Sequence, residues 1–323
     1  MPSRGIGGRG RSRRARRRRE EAAAEPRDWA DGLGPDLLLE ILGRLDHADI
    51  LMSADRVCWA WRRAAREEPT LWRRVVMRGG GGGGLDGISR RLNRCGAACE
   101  AVRRGAGLCE AVSVEYAADD GFLIYLSEMA PKLKSLRLIC CNDVTEEGFT
   151  EAVQELPLLE ELELSLCDNV GCSVDCYELV ADKCIQLKHF RLSRHDSKVG
   201  QAWWQNKDVP AIASMHRLRS LQLFGNTLSS NGLETILDNC PQLESLDIRR
   251  CANVKMDGAL LAKCSKIKKI RLPGDSIDDY DLRDRSKVRS PVMRRGNHRV
   301  VQPFRGNYHH YFNRDEFFPR LSR

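Results

Sequence analysis

Leu133-Lys134-Ser135-Leu136-Arg137-Leu138 and Leu159-Glu160-Glu161-Leu162-Glu163-Leu164 stand 26 residues apart and share the spacing Leu-x-x-Leu-x-Leu. The spacing recurs at Leu187-Phe190-Leu192, Leu218-Leu221-Leu223, Leu243-Leu246-Ile248 and Ile267-Ile270-Leu272, with a degenerate first copy at Cys109-Val112-Val114. Successive copies start 24, 26, 28, 31, 25 and 24 residues apart. Alternation with a period of two predicts a short strand with one buried face in each copy. Three residues past the last apolar strand position stands Cys141, Cys167, Asn226 or Cys251, with His195 in the irregular third full copy. A small side chain there packs into a tight bend, and Asn can also bond the backbone. Each bend leads toward a short helical stretch that stops at a proline, as in Asp120-Gly121-Phe122 to Pro131, Glu147-Gly148-Phe149 to Pro157 and Asn231-Gly232-Leu233 to Pro241.

No single copy of this unit can bury its own apolar edge, so about seven stacked copies must form one structure. The pattern resembles leucine-rich repeats of the cysteine-containing type. The resemblance implies an α/β architecture, a curved parallel sheet with helices on its convex face, over residues 88–274. Ile88, Leu92, Cys95, Cys99 and Val102 have helical spacing and lead into it.

A second pattern precedes the repeats: Trp29-Ala30-Asp31-Gly32-Leu33-Gly34-Pro35-Asp36-Leu37-Leu38-Leu39-Glu40-Ile41-Leu42-Gly43-Arg44-Leu45. Pro35 suits the first turn of a helix, where its missing N–H costs nothing. Leu38, Ile41, Leu42 and Leu45 then form one apolar stripe, and Leu51, Ala54, Val57, Cys58, Trp61 and Ala65 a second. Two amphipathic helices in under fifty residues cannot bury both faces in so small a core, which leaves apolar surface for a partner. Val57-Cys58-Trp59-Ala60-Trp61-Arg62 and Pro69-Thr70-Leu71-Trp72 follow in order. Together these segments resemble an F-box, the adaptor-binding module of substrate receptors in Skp–cullin–F-box ubiquitin ligases. The family usually has Leu-Pro-x-Asp before the first helix; here Leu33-Gly34-Pro35-Asp36 carries the proline one place later.

The order of the parts, with Glu115-Tyr116 ahead of the repeats and Leu221-Gln222-Leu223-Phe224-Gly225-Asn226 within them, is similar to the plant F-box/leucine-rich-repeat proteins over residues 28–280. The expected organisation is an Arg-rich disordered tail (1–26), the F-box (27–77), a Gly-rich linker (78–87), the repeat solenoid (88–274) and a largely disordered C-terminal tail (275–323). Six consecutive glycines, 79–84, read as a flexible linker; no strand–glycine–lysine–helix context makes them a phosphate loop. The late aromatic residues, Phe304 to Phe318, form a cluster able to dock elsewhere.

The net charge of +8 belongs to the tails. Residues 1–20 hold nine Arg against one Glu, and 275–323 hold eleven Lys/Arg against seven Asp/Glu, so the middle is mildly acidic. The folded part is therefore no basic nucleic-acid domain. The block Arg11-Ser12-Arg13-Arg14-Ala15-Arg16-Arg17-Arg18-Arg19 reads as a nuclear-import signal, a polyanion binder or a solubilising tail. Nuclear and cytoplasmic locations both fit. No apolar run is long enough to span a membrane and no secretory leader is visible, so the thirteen cysteines are expected to be reduced thiols.

Catalytic and metal chemistry find no support. Cys95/Cys99 and Cys172/Cys176 are four apart and His309-His310 adjacent, but zinc sites need paired pairs at close spacing. No Ser/His/Asp order assembles, no cysteine sits in a separate catalytic module, and no cofactor is expected. The resemblance implies a non-catalytic receptor subunit. Leu33, Pro35, Leu38, Ile41, Leu42, Val57 and Trp61 would meet a Skp-type adaptor, with Leu71 and Trp72 supporting, and cullin and RING subunits would join through that adaptor. A protein target would meet the outward strand positions, Lys134, Arg137, Glu161, Glu163, Arg219, Gln222, Glu244 and Asp247. Their sign changes from repeat to repeat, which suits a protein better than a polyanion. The alternative is a nuclear scaffold that associates with nucleic acid through its arginine tails.

Overall fold

The computed structural model describes residues 33–79, 94–194 and 205–282. The arginine block, the linker from residue 80 onward, Ile88 and Leu92, His195 and the C-terminal aromatic cluster lie outside these residues. Two compact units result. Residues 33–45 with Asp49–Glu67 form a helical module; Asp46–Ala48 with 68–282 form the repeat unit.

In the module, Pro35 occupies the start of helix Pro35–Leu42, whose N-cap is Gly34. The second stripe is not one helix. It is divided among helix His47–Met52, a 3-10 turn Ala54–Arg56 and helix Trp59–Glu67. The turn closes through i to i+3 bonds, with Arg56 N donating to Ser53 O (2.9 Å) and Val57 N to Ala54 O (3.1 Å). Arg66 reaches the buried Asp55 carboxylate (3.4 Å) and Arg62 Nε donates to Asp55 O (2.8 Å), which fixes the turn against the following helix. Leu51, Ala54 and Ala65 are buried, whereas Val57, assigned to the same stripe by spacing, is turned outward by the break.

The repeat unit carries eight parallel strands in sequence order. They are β1 (Arg74–Met77), β2 (Ala111–Glu115), β3 (Ser135–Ile139), β4 (Glu161–Ser165), β5 (His189–Ser193), β6 (Ser220–Phe224), β7 (Ser245–Asp247) and β8 (Lys269–Arg271). Helices Arg94–Arg104, Asp120–Met129, Glu146–Gln154, Asp175–Lys183, Val209–Ala213, Ser230–Asn239 and Gly258–Cys264 alternate with them and stack on one another in order. Register aligns the inward residues into rows: Val112, Leu136, Leu162, Phe190, Leu221 and Leu246 in one, Val114, Leu138, Leu164, Leu192 and Leu223 in the other. All are buried, as stacking requires.

Strand β1 extends the array by one copy that the leucine spacing does not show. Trp72-x-x-Val75-x-Met77 has the repeat spacing with other apolar residues, and Val75 pairs with Val112 and Met77 with Val114. Trp72 thus takes the first core position of that copy and is fully buried beneath the Arg104 guanidinium, 5.1 Å from the ring centroid.

The corners after β2, β3, β4, β6 and β7 repeat one backbone device. Tyr116, Cys140, Leu166, Gly225 and Arg250 all have φ between 54° and 63°. This left-handed region disfavours side chains, and only one of the five is glycine. The amide of each corner residue bonds the following repeat: Tyr116 N to Ile139 O, Cys140 N to Ser165 O, Leu166 N to Ser193 O, Gly225 N to Arg249 O and Arg250 N to Pro273 O, at 2.8–3.1 Å. The cysteines just past the corner reach back: Cys167 Sγ lies 3.4 Å from Leu138 O and Cys251 Sγ 2.9 Å from Leu223 O.

Candidate functional site

Two surfaces hold the candidate residues, one on each unit. On the helical module the apolar stripe of helix Pro35–Leu42 divides by burial. Leu38 and Leu42 pack inside, while Leu33 and Ile41 are half-buried and Pro35 is exposed. Leu37, which the stripe leaves out, is 48% exposed, Val57 is equally open, and Trp59 is 68% exposed with the Arg63 guanidinium 5.2 Å from its ring. Trp61 is half-buried. Of the ten large apolar side chains exposed among the described residues, four fall between Leu37 and Trp59 and six are scattered over the rest. Single exposed apolar residues are ordinary, but four within so short a module are a concentration. Leu71 and Trp72 belong to the repeat unit, Leu71 half-buried and Trp72 fully so.

Beside Trp72 the His47 ring bridges two backbone groups. Its Nδ1 accepts from Val76 N (3.2 Å) and its Nε2 lies 3.2 Å from Leu71 O. The two bonds call for the neutral ring protonated on Nε2. Burial holds the His47 pKa below the usual histidine value.

On the repeat unit the candidates form the outward rows of the sheet. Register sets Ser113, Arg137, Glu163, Arg191, Gln222, Asp247 and Arg271 side by side. Glu163 is only 1% exposed: Arg137 Nε lies 2.5 Å and Arg191 Nη1 3.5 Å from its oxygens, and Ser165 Oγ donates at 2.7 Å. Glu161 accepts from Ser135 Oγ (2.7 Å), and Asp247 binds Arg249 (2.8 Å). The residue before each strand adds a ladder: Glu110 takes Arg73 (2.8 Å) and Lys134 (3.7 Å), Glu160 takes Lys188 (2.6 Å), and Glu244 takes Lys268 (2.8 Å) and Arg219 (3.8 Å). The sign changes visible in the sequence are therefore largely satisfied between neighbouring repeats, and the most exposed of these pairs contribute little stability.

The residues just after the last strand fall within 275–323, expected to be a largely disordered C-terminal tail, yet those up to 282 pack on the repeats. Ile277, Tyr280 and Leu282 join Ile139, Cys140, Leu166 and Phe224 in one cluster, and Tyr280 and Leu282 are buried. The signal was present as three apolar residues, Ile277, Tyr280 and Leu282, interleaved with Asp278, Asp279 and Asp281, but nothing repeats there to reveal it.

Most of the buried cysteines are poor nucleophiles. Burial pushes Cys99, Cys176, Cys184 and Cys251 up to about 12 and Cys109 and Cys240 up to about 11. Cys141 is drawn the other way by a hydrogen bond from Cys167, in a site closed to solvent. Among the described residues no cluster of His, Cys, Asp and Glu could hold a metal ion.

The F-box-like family profile matches residues 33–78, which spans the helical module and strand β1. F-box protein SKIP19 of Arabidopsis thaliana is 40% identical over 80% of this chain and 81% of its own length. F-box/LRR-repeat protein 22 of the same plant is 37% identical over 80% of each chain, and F-box protein FBW2 28% identical over 73% of this chain and 72% of its own. The helical module, the sequential parallel sheet and these relatives define one class: the chain belongs to the plant F-box/LRR-repeat family.

Proposed function

We propose that this chain is the substrate-recognition subunit of an SCF-type ubiquitin ligase. The helical module docks a Skp-type adaptor, which brings cullin and RING subunits, and the outward face of the sheet holds a protein target. The observation that carries this reading is the concentration of Leu37, Val57 and Trp59 as open apolar side chains on a module that the F-box-like profile matches. The contribution of such a receptor is proximity: tethering turns a bimolecular encounter with a ubiquitin-loaded enzyme into an effectively intramolecular one. That task asks for no nucleophile of its own, in keeping with thiols held high by burial. All thirteen cysteines are free thiols, which fits the nucleus or the cytoplasm, the two locations we propose.

The test is co-expression of the full chain with a Skp-type adaptor, read by size-exclusion chromatography. The unmodified chain co-elutes, and Leu37→Asp with Trp59→Ala abolishes the complex while the thermal unfolding midpoint stays in place. A central apolar contact of this kind is worth about 2 kcal/mol, roughly thirtyfold in affinity. Absence of any complex with the unmodified chain overturns the proposal.

A further inference from the structure

The outward face of the sheet is already occupied, by residues 277–282 of the chain itself. The Tyr280 ring stacks on Phe224 with centroids 3.8 Å apart and planes 4° from parallel, and its hydroxyl donates to Ser193 Oγ (2.8 Å). The Arg191 and Arg249 guanidiniums each lie 5.8 Å from the ring centroid. The flanking acids pair with the sheet. Asp281 takes both Nη atoms of Arg191 (3.1 and 2.7 Å), and Asp279 takes Arg249 (2.5 Å) and Arg271 (2.9 Å). Arg249 also donates to Ser276 O (2.8 Å).

Charge explains why this face attracts such a segment. Arg137, Arg191, Arg249 and Arg271 meet only Glu163 and Asp247 from the strands and the corner after β7, a surplus of two positive charges. Asp279 and Asp281 supply the two missing negative charges, one on each side of the ring. The fit is incomplete. Arg191 Nε and Gln222 Nε2 are buried with no hydrogen-bond partner among the described residues. A buried donor left without an acceptor keeps its full desolvation cost, so a peptide that reaches them has an advantage over the resident segment.

We propose that the slot formed by Phe224, Ser193, Arg191 and Arg249 is a peptide-binding site for an aromatic residue flanked by carboxylates, and that Asp279-Tyr280-Asp281 fills it as a tethered stand-in. The proposal rests on reading this face as the target-binding surface and names the chemistry of the target: an acidic segment with a central aromatic side chain. An aromatic anchor in a pocket with charge-assisted bonds on either side is the usual construction of a peptide hot spot. The tether makes occupancy by a second chain depend on opening, so apparent affinity falls by the fraction of chains that are open.

The probe is a fluorescein-labelled synthetic peptide with the sequence of residues 275–283, DSIDDYDLR, read by fluorescence anisotropy. It is titrated into the full chain and into the full chain carrying Asp279→Ala, Tyr280→Ala and Asp281→Ala. The opened variant binds at least about tenfold tighter than the unmodified chain, and adding Arg191→Ala returns it to the unmodified level. Equal binding by both chains, or equal binding of a peptide with its four aspartates changed to asparagine, overturns the proposal. Hydrogen exchange on the unmodified chain decides the matter if the opened variant does not fold. Amides of 277–282 that open before those of β5 and β6 support a displaceable segment; protection equal to the strands overturns it. Adaptor co-elution from the same samples reads the helical module separately, so loss of the peptide with the adaptor retained refutes only the slot.

Discussion

Helix Pro35–Leu42 begins at Gly34 with no side-chain cap, whereas four of the repeat helices begin at Asp119, Thr145, Ser229 and Asp257, each accepting a backbone N–H from the first turn. Helices Asp175–Lys183 and Val209–Ala213 lack such a cap. The repeat unit goes further and links one cap to the next. Asp120 accepts from Thr145 N (2.7 Å) and Oγ1 (2.8 Å), and Asn206 accepts from Ser229 N (2.8 Å). Its charged rows pair across strands and its face carries a segment of its own chain. The helical module instead has three short helices and leaves Leu37, Val57 and Trp59 in solvent. One unit satisfies itself by repetition; the other keeps apolar area open. The difference teaches that stacked repeats cover their own apolar and polar groups, while a short helical module leaves some apolar side chains uncovered.

The sharpest way to break this comparison is to remove a core residue of the repeats. Leu164→Ala deletes a buried side chain in the middle of an inward row, where neighbours on both sides hold their places. A loss of about 3 kcal/mol is expected, because a stacked array collapses poorly around a cavity. It is read as a lower urea midpoint at unchanged slope. A loss below about 1 kcal/mol would mean that the array is no more tightly specified than the module.

The next test is of pH, through His47. Its folded pKa lies below the unfolded value because burial opposes the charge and Val76 N needs Nδ1 as an acceptor. The unfolded chain therefore binds more protons between the two values, and stability rises with pH there. The contribution is full above the unfolded pKa near 6.5 and is lost as pH falls. Between pH 7.5 and 5.5 the chain should lose stability through this group. His47→Gln lowers stability at pH 7.5 and flattens the profile; an unchanged slope shows that other groups carry it.

How much of this could be read beforehand depends on repetition. Leu136, Leu162 and Leu221 were legible because their spacing recurs and only a strand row satisfies it. Strand β1 was not, because Trp72, Val75 and Met77 keep the spacing without the leucines, inside a segment that also reads as the end of the helical module. Which apolar residues of the module stand outward was not legible. A 3.6-residue stripe marks what lies together, and here Leu38 and Leu42 face inward while Leu37 and Trp59 face out. The break at Ala54–Arg56 then turned Val57 away from its stripe. Tyr280 on Phe224 is a contact between residues 56 apart with no pattern linking them, and only the folded chain shows it.

A smaller effect probes the linked caps. Ser229→Ala removes the acceptor for Gly232 N (3.2 Å) and for Asn206 Nδ2 (2.7 Å), and should cost about 1 kcal/mol. Gly232 cannot compensate by changing size, since a methyl group there would strike Asn206 Oδ1. The corresponding change in the module has nothing to remove, as Gly34 offers no side chain. Gly34→Ser therefore is the sharper partner experiment: a cap hydroxyl placed there, with open space around the new carbon, should raise stability by a few tenths of a kcal/mol. Differential scanning calorimetry of the two variants, beside the unmodified chain, reads both signs.

The smallest expected change in stability falls on the residues with the largest expected change in binding. Leu37→Ala and Trp59→Ala remove side chains that already stand in solvent, so folding should shift by less than about 0.5 kcal/mol for Leu37 and less than about 1 kcal/mol for Trp59. Trp59 has one further contact, the Arg63 guanidinium over its ring, and at an exposed site that adds about 0.5–1 kcal/mol at most. Adaptor affinity should fall roughly thirtyfold for either change, measured by calorimetric titration against a Skp-type adaptor. The inverse pattern, stability lost and affinity kept, would place these side chains in the module's own packing. The contact surface would then have to be sought among Leu33, Pro35 and Ile41, which the fold leaves partly or fully exposed.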